Sequence, residues 1–252
     1  MKKFNPTTRF SDRVANYVKY RPSYPEEAIT SFIREYSISK ESTFADIGSG
    51  TGIFSKLLLE QGMNVFAIEP NLEMRTYAEN HLKTYARFES MNATAENTGL
   101  KDQSVDVITC AQAFHWFELE PTLKEFNRIL KSKGFILLIW NERKIDTPFL
   151  QQYEDLLIQY AIDYTQVNHM NYTSERLASI FSERKMELYQ YQNCQLFDLE
   201  ALKGRLLSSS YSPKESHPNF KPLMTEIERL FETTQKEGTV SFDYDCSVYV
   251  FS

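Results

Sequence analysis

An α/β fold with a doubly wound, mostly parallel sheet of seven strands is what this sequence predicts, and three observations predict it. Short apolar runs bounded by turn residues alternate with helix-spaced segments from residue 43 to residue 140. After about residue 145 the pattern becomes mostly helical. Two further strand-like runs, at 186–198 and 239–251, then bring the strand count to seven. Strand and helix alternating at this pitch give parallel strands with helices on both faces.

The elements follow in order. "NYVKYRPSY" near the start spaces its tyrosines as an amphipathic helix would. "TFADI" (43–47) is a short buried strand. "IFSKLLLEQG" places Ile53, Phe54, Leu57 and Leu58 at helical spacing and stops at Gly62, a C-cap residue. "NVFAIE" (64–69) is the second strand and "NLEMRTYAENHLKTY" the next helix. "ARFESMNA" and "SVDVITCA" (104–111) are the third and fourth strands. "EPTLKEFNRILKSKG" is a helix with Pro121 in its first turn and Gly134 at its end, and "FILLIW" (135–140) is the fifth strand. "TPFLQQYEDLLIQYAIDY", "TSERLASIFSERK", "LEALKGRLLSSS" and "PLMTEIERLFETTQKEG" are helical, "MELYQYQNCQLFD" alternates as a strand, and "TVSFDYDCSVYVF" closes the chain. "SYSPKESHPNF" is the loosest segment.

At 252 residues the chain holds one large domain or two small ones. The expectation is a single domain over 1–252: an N-terminal lid (1–35), a ligand-binding core (36–145), a helical and strand cap (146–239) and a closing strand (240–252). Net charge is −6, and no block of Lys or Arg exceeds a few residues, so a nucleic-acid coat is not expected. Three scattered cysteines without a CxxC pair argue for a reduced chain and against a zinc site. "MKKFNPTTRF" has no apolar run behind it, and "FILLIW" is far shorter than the roughly 20 residues that span a bilayer. Cytoplasm, no membrane and no metal are the resulting expectations; oligomeric state stays open.

Ligands of such sheets sit beyond the carboxyl ends of the strands. That rule gathers the loops at 46–52, 69–71, 93–97, 111–117 and 141–143 around one crevice. The first carries Gly48, Gly50 and Gly52 two positions after Asp46, a G-x-G-x-G spacing. A dinucleotide loop wants its third glycine where Ile53 stands, and a triphosphate loop wants a Lys that does not follow Gly52. A plain turn needs about one glycine; three suggest backbone passing close to a ligand. Glu69 ends the next strand, where a carboxylate accepts hydrogen bonds from a ribose diol. The two features together point to an adenosine-bearing ligand.

On these residues the sequence resembles the class I S-adenosylmethionine-dependent methyltransferases, whose fold is Rossmann-like. "FADIGSGTG" is similar to their glycine motif, "VFAIEPN" to their ribose-binding strand end, and "NATAENTGLKDQSVDVITCAQAFHWF" and "EFNRILKSKGFILL" to the segments around their fourth strand. "RVANYVKYRPSYP" and "AFHWF" bring it nearest to the small-molecule subgroup of methyltransferase type 11, the trans-aconitate methyltransferase-like kind. The resemblance covers about residues 14–141 and implies S-adenosylmethionine as cofactor. It implies that Gly48, Gly50 and Gly52 lie against the methionine portion, with Asp46 supporting the loop and the amino group, and that Glu69 holds the ribose. Ala95 through its N–H, and Thr94 before it, would meet the adenine; Thr94 stands where many relatives have Asp. Ser49, Pro70 and Glu96 complete that set, with Tyr20, Arg21 and Gln112 as further cofactor candidates. "KSKG" departs from a common Pro-Gly-Gly turn.

Methyl transfer requires nucleophile, methyl and sulfur in line and water kept out; a base is needed only when the nucleophile carries a proton. His115, with a reference pKa near 6.5, is the candidate base, the alternative being a histidine bonded to loop backbone. Tyr17, His115, Trp116, Asn141 and Arg143 are the candidate acceptor residues, and Tyr153, Tyr160, Tyr164 and Tyr172 are unranked aromatics of the cap. Arg21 in a lid would pair a carboxylate of cofactor or acceptor. The expected function is methylation of a small molecule, a carboxylate being the acceptor that the subgroup resemblance suggests. Two alternatives stand beside it: a non-catalytic protein that binds the same cofactor, and an NAD-dependent oxidoreductase, which the glycine spacing disfavours. An RNA or protein methyltransferase is disfavoured by the acidic balance.

Overall fold

The structure, a computed structural model, describes residues 14–164 and 172–252. The opening decapeptide and the first part of the expected lid therefore lie outside the described residues. In chain order the elements are α1 (Val14–Tyr20), α2 (Glu26–Glu35), β1 (Thr43–Ile47), α3 (Ile53–Glu60), β2 (Asn64–Ile68), α4 (Leu72–Leu82), β3 (Phe88–Met91) and β4 (Val105–Ala111). A one-turn 3₁₀ helix (Phe114–Trp116), α5 (Leu119–Ile129), β5 (Leu130–Arg143), α6 (Pro148–Tyr160) and α7 (Ser174–Ile180) follow. β6 (Met186–Phe197), α8 (Leu199–Leu207), α9 (Phe220–Thr234) and β7 (Val240–Phe251) complete the chain.

The seven strands form one sheet in the order β3-β2-β1-β4-β5-β7-β6. Strands β1 to β5 run parallel, and β7 runs antiparallel to both neighbours. The chain builds outward from β1 to β3 and then crosses back to β4, so the switch of strand order falls between β1 and β4. A crevice opens there because the two connections leave in opposite directions.

Alternation along each strand makes two apolar layers. Ala45, Ile47, Ile108 and Cys110 face one layer with Phe114, Phe126 and Trp140. Phe44, Val65, Val107 and Leu137 face the other with Phe32, Phe54 and Leu58. A third cluster joins α6, α8 and α9 through Leu150, Leu157, Leu202, Leu206 and Ile227 to Val240 and Phe242. Its position follows from register. The last β5 pair is Arg143 with Tyr244, while β6 stays paired with β7 through Phe197 and Val240. The β6–β7 ribbon thus overhangs the carboxyl end of β5 and carries the cap over the crevice.

Local signals account for most boundaries. Gly62 closes α3 with φ +81°, its N–H donating to the Leu59 carbonyl at 2.9 Å. Asn71, Thr147 and Asp198 cap α4, α6 and α8, each accepting a backbone N–H with its side-chain oxygen. One boundary differs from expectation. The helix expected to reach Gly134 ends at Ile129, and residues 130–134 already belong to β5. Gly134 is there for close approach: an added Cβ would lie 2.8 Å from the Asp106 carbonyl oxygen and 2.6 Å from Leu130 Cδ1. The register shifts between Val105 and Val107 at this point, so "KSKG" is an irregular strand entry. Among the described residues no helix is long and apolar enough to cross a membrane.

Candidate active site

A cavity of about 920 Å³ lies across the carboxyl ends of β1, β2, β4 and β5, roofed by the cap and the segment after α1. That is at the upper end of the usual range for small-molecule pockets, large enough for two ligands side by side. All five loops expected around the crevice line it.

The first loop is built on left-handed backbone. Gly48, Gly50 and Gly52 have φ of +72°, +58° and +81°, a region that L side chains rarely occupy. Their surroundings differ. A Cβ at Gly48 would lie 2.6 Å from Ala113 Cβ, so this glycine lets the β4 loop close onto the β1 loop. A Cβ at Gly52 would lie 2.7 Å from Leu82 Cδ1; Gly52 serves the packing of α3 on α4 and does not line the cavity. Only Gly50 has open space on that side, its nearest neighbour being Met74 Sδ at 3.8 Å. Of the three glycines expected to lie against a ligand, Gly48 and Gly50 line the cavity, with Ser49 and Thr51, and Gly52 does not.

Asp46 sits beneath the loop, buried. Its Oδ2 accepts the Ser55 hydroxyl at 2.6 Å and its Oδ1 the Thr109 hydroxyl at 3.0 Å. These bonds tie β1 to α3 and β4. Burial pushes its carboxyl up to about 6, against the pull of the two hydroxyls.

Glu69 is also buried (8% exposed). Its Oε2 accepts the Gly50 N–H at 2.9 Å and its Oε1 the Asn71 N–H at 2.8 Å. Burial raises its pKa, and the two backbone donors oppose the rise. A carboxylate offers about four acceptor positions, so two remain for a ligand in the cavity that Glu69 and Pro70 line. Thr94, Ala95 and Glu96 line the neighbouring wall; Glu96 Oε1 holds the Glu118 N–H at 3.0 Å.

At the tip of β4, Gln112 is left-handed with φ +56°, strained for a residue with a side chain. Its N–H donates to the Ile139 carbonyl at 2.8 Å and its Nε2 to the Asn141 carbonyl at 2.9 Å. The turn that follows aims His115 and Trp116 into the cavity, their rings 4.9 Å apart.

Other candidates are placed less directly. Asn141 lines the cavity, but its side chain joins the Ser23 carbonyl and Asn193. Arg143 also lines it; it pairs with Glu154 and lies over the Tyr153 ring at 4.9 Å. Tyr17 and Arg21 line the roof, the guanidinium 5.0 Å from the Tyr17 ring centroid. Tyr20 is not a lining residue: it is buried against Gly204 of α8, seating α1 on the cap. Of the unranked tyrosines, Tyr164 and Tyr172 reach the cavity, whereas Tyr153 and Tyr160 belong to the cap cluster. Sequence reasoning passed over Arg205, Tyr211 and Tyr244, which line the cavity from the cap. An arginine on the apolar face of "LEALKGRLL" was the available signal. Among the described residues no cluster of His, Cys, Asp and Glu suits a metal ion.

The comparisons agree with this geometry. Residues 45–138 match the family described as Methyltransferase domain. The chain is 27% identical over 241 residues to an uncharacterized methyltransferase of Schizosaccharomyces pombe, covering 93% of this chain and 92% of that one. It is 34% identical over 134 residues to an uncharacterized methyltransferase of Mycobacterium tuberculosis, covering 53% of this chain and 52% of that protein. A SAM-dependent methyltransferase from Geobacter sulfurreducens, solved with S-adenosyl-L-homocysteine, superposes with a TM-score of 0.57 at 14% identity, over 100% of this chain and 99% of that one, and so shares the fold. Matched domain, methyltransferase relatives and a sheet whose last strand alone is reversed lead to one assignment: residues 45–138 are a methyltransferase domain, set in the seven-stranded sheet that the Geobacter methyltransferase shares.

Proposed function

We propose that this enzyme binds S-adenosylmethionine between the β1 loop and the tip of β2 and methylates a small molecule held under the cap. The observation that carries the reading is Glu69. Its two oxygens are oriented by the N–H groups of Gly50 and Asn71, and its free acceptor positions suit the two hydroxyls of a ribose. Gly50 leaves room for a ligand to lie on backbone beside it. Asp46, held by two hydroxyls, keeps the loop in place and sets a carboxylate near a cationic amine. Ala95 and Thr94 form the adenine wall. When bound, the cofactor supplies a methyl carbon already activated by its sulfonium.

The chain's part in transfer is then alignment and exclusion of water. Trp116 and the cap aromatics supply the apolar wall, and His115 takes the proton of a hydroxyl or amine acceptor. Residues 36–145 act as the cofactor-binding core and 146–239 as the acceptor cap of one domain. Three free thiols, two of them buried, fit a reducing compartment such as the cytoplasm. Calorimetric titration with S-adenosylmethionine, S-adenosylhomocysteine and NAD tests the cofactor reading. The two adenosyl compounds should bind and NAD should not; binding of NAD alone would overturn it.

A further inference from the structure

On the cap side of the cavity stand two arginines that no carboxylate among the described residues pairs with. Arg205, from α8, is 7% exposed; its Nη1 donates to Ser209 Oγ at 3.0 Å and its Nε lies 3.5 Å from the Tyr244 hydroxyl. Arg21 follows α1; its Nη2 reaches the Ser208 carbonyl at 3.3 Å, and its Nε is buried with no acceptor. Among the described residues no carboxylate pairs with either guanidinium. Arg143, lining the same cavity, shows the usual solution: Glu154 neutralises it, and the Tyr164 hydroxyl donates to that carboxylate at 2.7 Å.

Electrostatics mark the spot between them. Burial, then the neighbouring charge of Arg205, lowers the proton affinity of Arg21. Burial alone would raise the Tyr211 hydroxyl, but Arg205, Arg143 and Arg21 together pull it below the ordinary tyrosine range. Three guanidinium groups thus act on one phenol, and among the described residues only that of Arg143 has a carboxylate in an ion pair. Burying like charges together is costly unless a ligand brings the missing negative charge.

We propose that Arg21, Arg205 and the Tyr211 hydroxyl form an oxyanion subsite that anchors an anionic group of the methyl acceptor, a group distinct from the atom that is methylated. The proposal rests on the methyltransferase reading above. Two arguments assign the anion to the acceptor. Arg205 and Tyr211 lie outside the matched domain at 45–138, which contains the glycine turn and Glu69 and hence the machinery for the common cofactor. An oxygen clamped by two guanidinium groups has its lone pairs engaged in charge-assisted hydrogen bonds, which makes it a poor nucleophile. Methylating it would also erase the charge that the arginines require. The carboxylate suggested by the subgroup resemblance therefore enters as a handle, and the nucleophile is a second group of the same molecule.

The test is calorimetric titration of the full chain, with and without saturating S-adenosylhomocysteine. The probes are glutarate, 4-hydroxyphenylacetate and 3-aminobenzoate, their neutral amides, and phenyl phosphate. The carboxylates should bind and the amides should not. Arg205→Gln should weaken carboxylate binding about 30-fold and Tyr211→Phe about fivefold, the ordinary cost of losing a charged and a neutral hydrogen-bond partner. Homocysteine-nucleoside affinity should stay within about twofold in both, as expected of residues that do not touch it. Far-ultraviolet circular dichroism, and the isosteric Tyr211→Phe, separate binding loss from misfolding. No binding of any carboxylate overturns the subsite. So does an Arg205→Gln variant that loses the nucleoside instead, since the anion would then be the cofactor's own carboxylate. Tighter binding of phenyl phosphate than of any carboxylate moves the anion from carboxylate to phosphate. Alkali-labile label on 4-hydroxyphenylacetate or 3-aminobenzoate, whose single carboxylate is the proposed anchor, after incubation with methyl-labelled S-adenosylmethionine overturns the anchoring role. Failure of the nucleoside to bind wild type removes the methyltransferase reading alone, because the titration without it still reports on the arginines.

Discussion

The Gly50 N–H donates to Glu69 Oε2 at 2.9 Å, joining the glycine turn after β1 to the carboxylate at the tip of β2. Each fixes the other: the turn orients the carboxylate, and the carboxylate satisfies a buried donor of the turn. Both carboxylate oxygens already take backbone N–H groups, so a Gln at this position must set its amide nitrogen against one of them. Glu69→Gln should weaken S-adenosylmethionine binding on the order of 100-fold, through lost charge and an opposed donor. Calorimetry checks this; unchanged affinity would remove Glu69 from the ribose role.

Asp46 makes stability depend on pH. Its folded-state pKa, about 6, lies above the ordinary value of 3.8. The stability it contributes is complete below the ordinary value and is lost as pH rises through about 6. Wild type should therefore lose about 2–3 kcal/mol relative to Asp46→Asn between about pH 4 and pH 7. Urea unfolding of both proteins across that range measures the difference, in which other titrating groups cancel. A constant difference would mean that Asp46 titrates alike in the folded and unfolded chains.

Gly48 and Gly62 separate backbone strain from crowding. Both have positive φ, but a Cβ at Gly62 meets nothing within 4 Å, whereas one at Gly48 meets Ala113 Cβ at 2.6 Å. Gly62→Ala should cost about 1–2 kcal/mol, the left-handed penalty alone. Gly48→Ala should cost about 1–3 kcal/mol more, by overpacking, and should lower cofactor affinity as the loop moves. Equal melting temperatures for the two variants would contradict this.

Gly204 tests the seat of α1. Its missing side chain admits the Tyr20 ring, to which an added Cβ would stand 2.0 Å away. Gly204→Ala should displace Tyr20, shift Arg21 with it, and destabilise the fold by about 1–3 kcal/mol. Carboxylate probes should lose affinity more than S-adenosylhomocysteine does. Full affinity for both would separate the α1 seat from the binding site.

Much of this was legible in the chain. Periodicity and turn residues are local, so six of the seven strands and the ends of α3, α4 and α6 follow from sequence to within a few residues, while β5 begins five residues earlier than expected. The end of α5 did not, because Gly134 answers to the Asp106 carbonyl across the strand pair, not to its own helix. Gly52 reads as part of a ligand loop, yet its reason is Leu82 of a helix 20 residues further on. Tyr20 and Arg21 are adjacent in sequence, but one is buried under α8 and the other reaches the cavity.

By itself the sequence determined the strand-helix alternation, the loop cluster at the carboxyl ends and the two motifs that resemble a cofactor site, since all of these are carried by residues close together in the chain. Only the tertiary structure decided how the cap meets the core. The β6–β7 register overhangs β5, and that overhang brings Arg205 and Tyr211 into the same cavity as Arg21, some 190 residues earlier. Charges so far apart in sequence become neighbours only through folding, so the apolar-face position of Arg205 is visible in the sequence but its sharing a cavity with Arg21 is not.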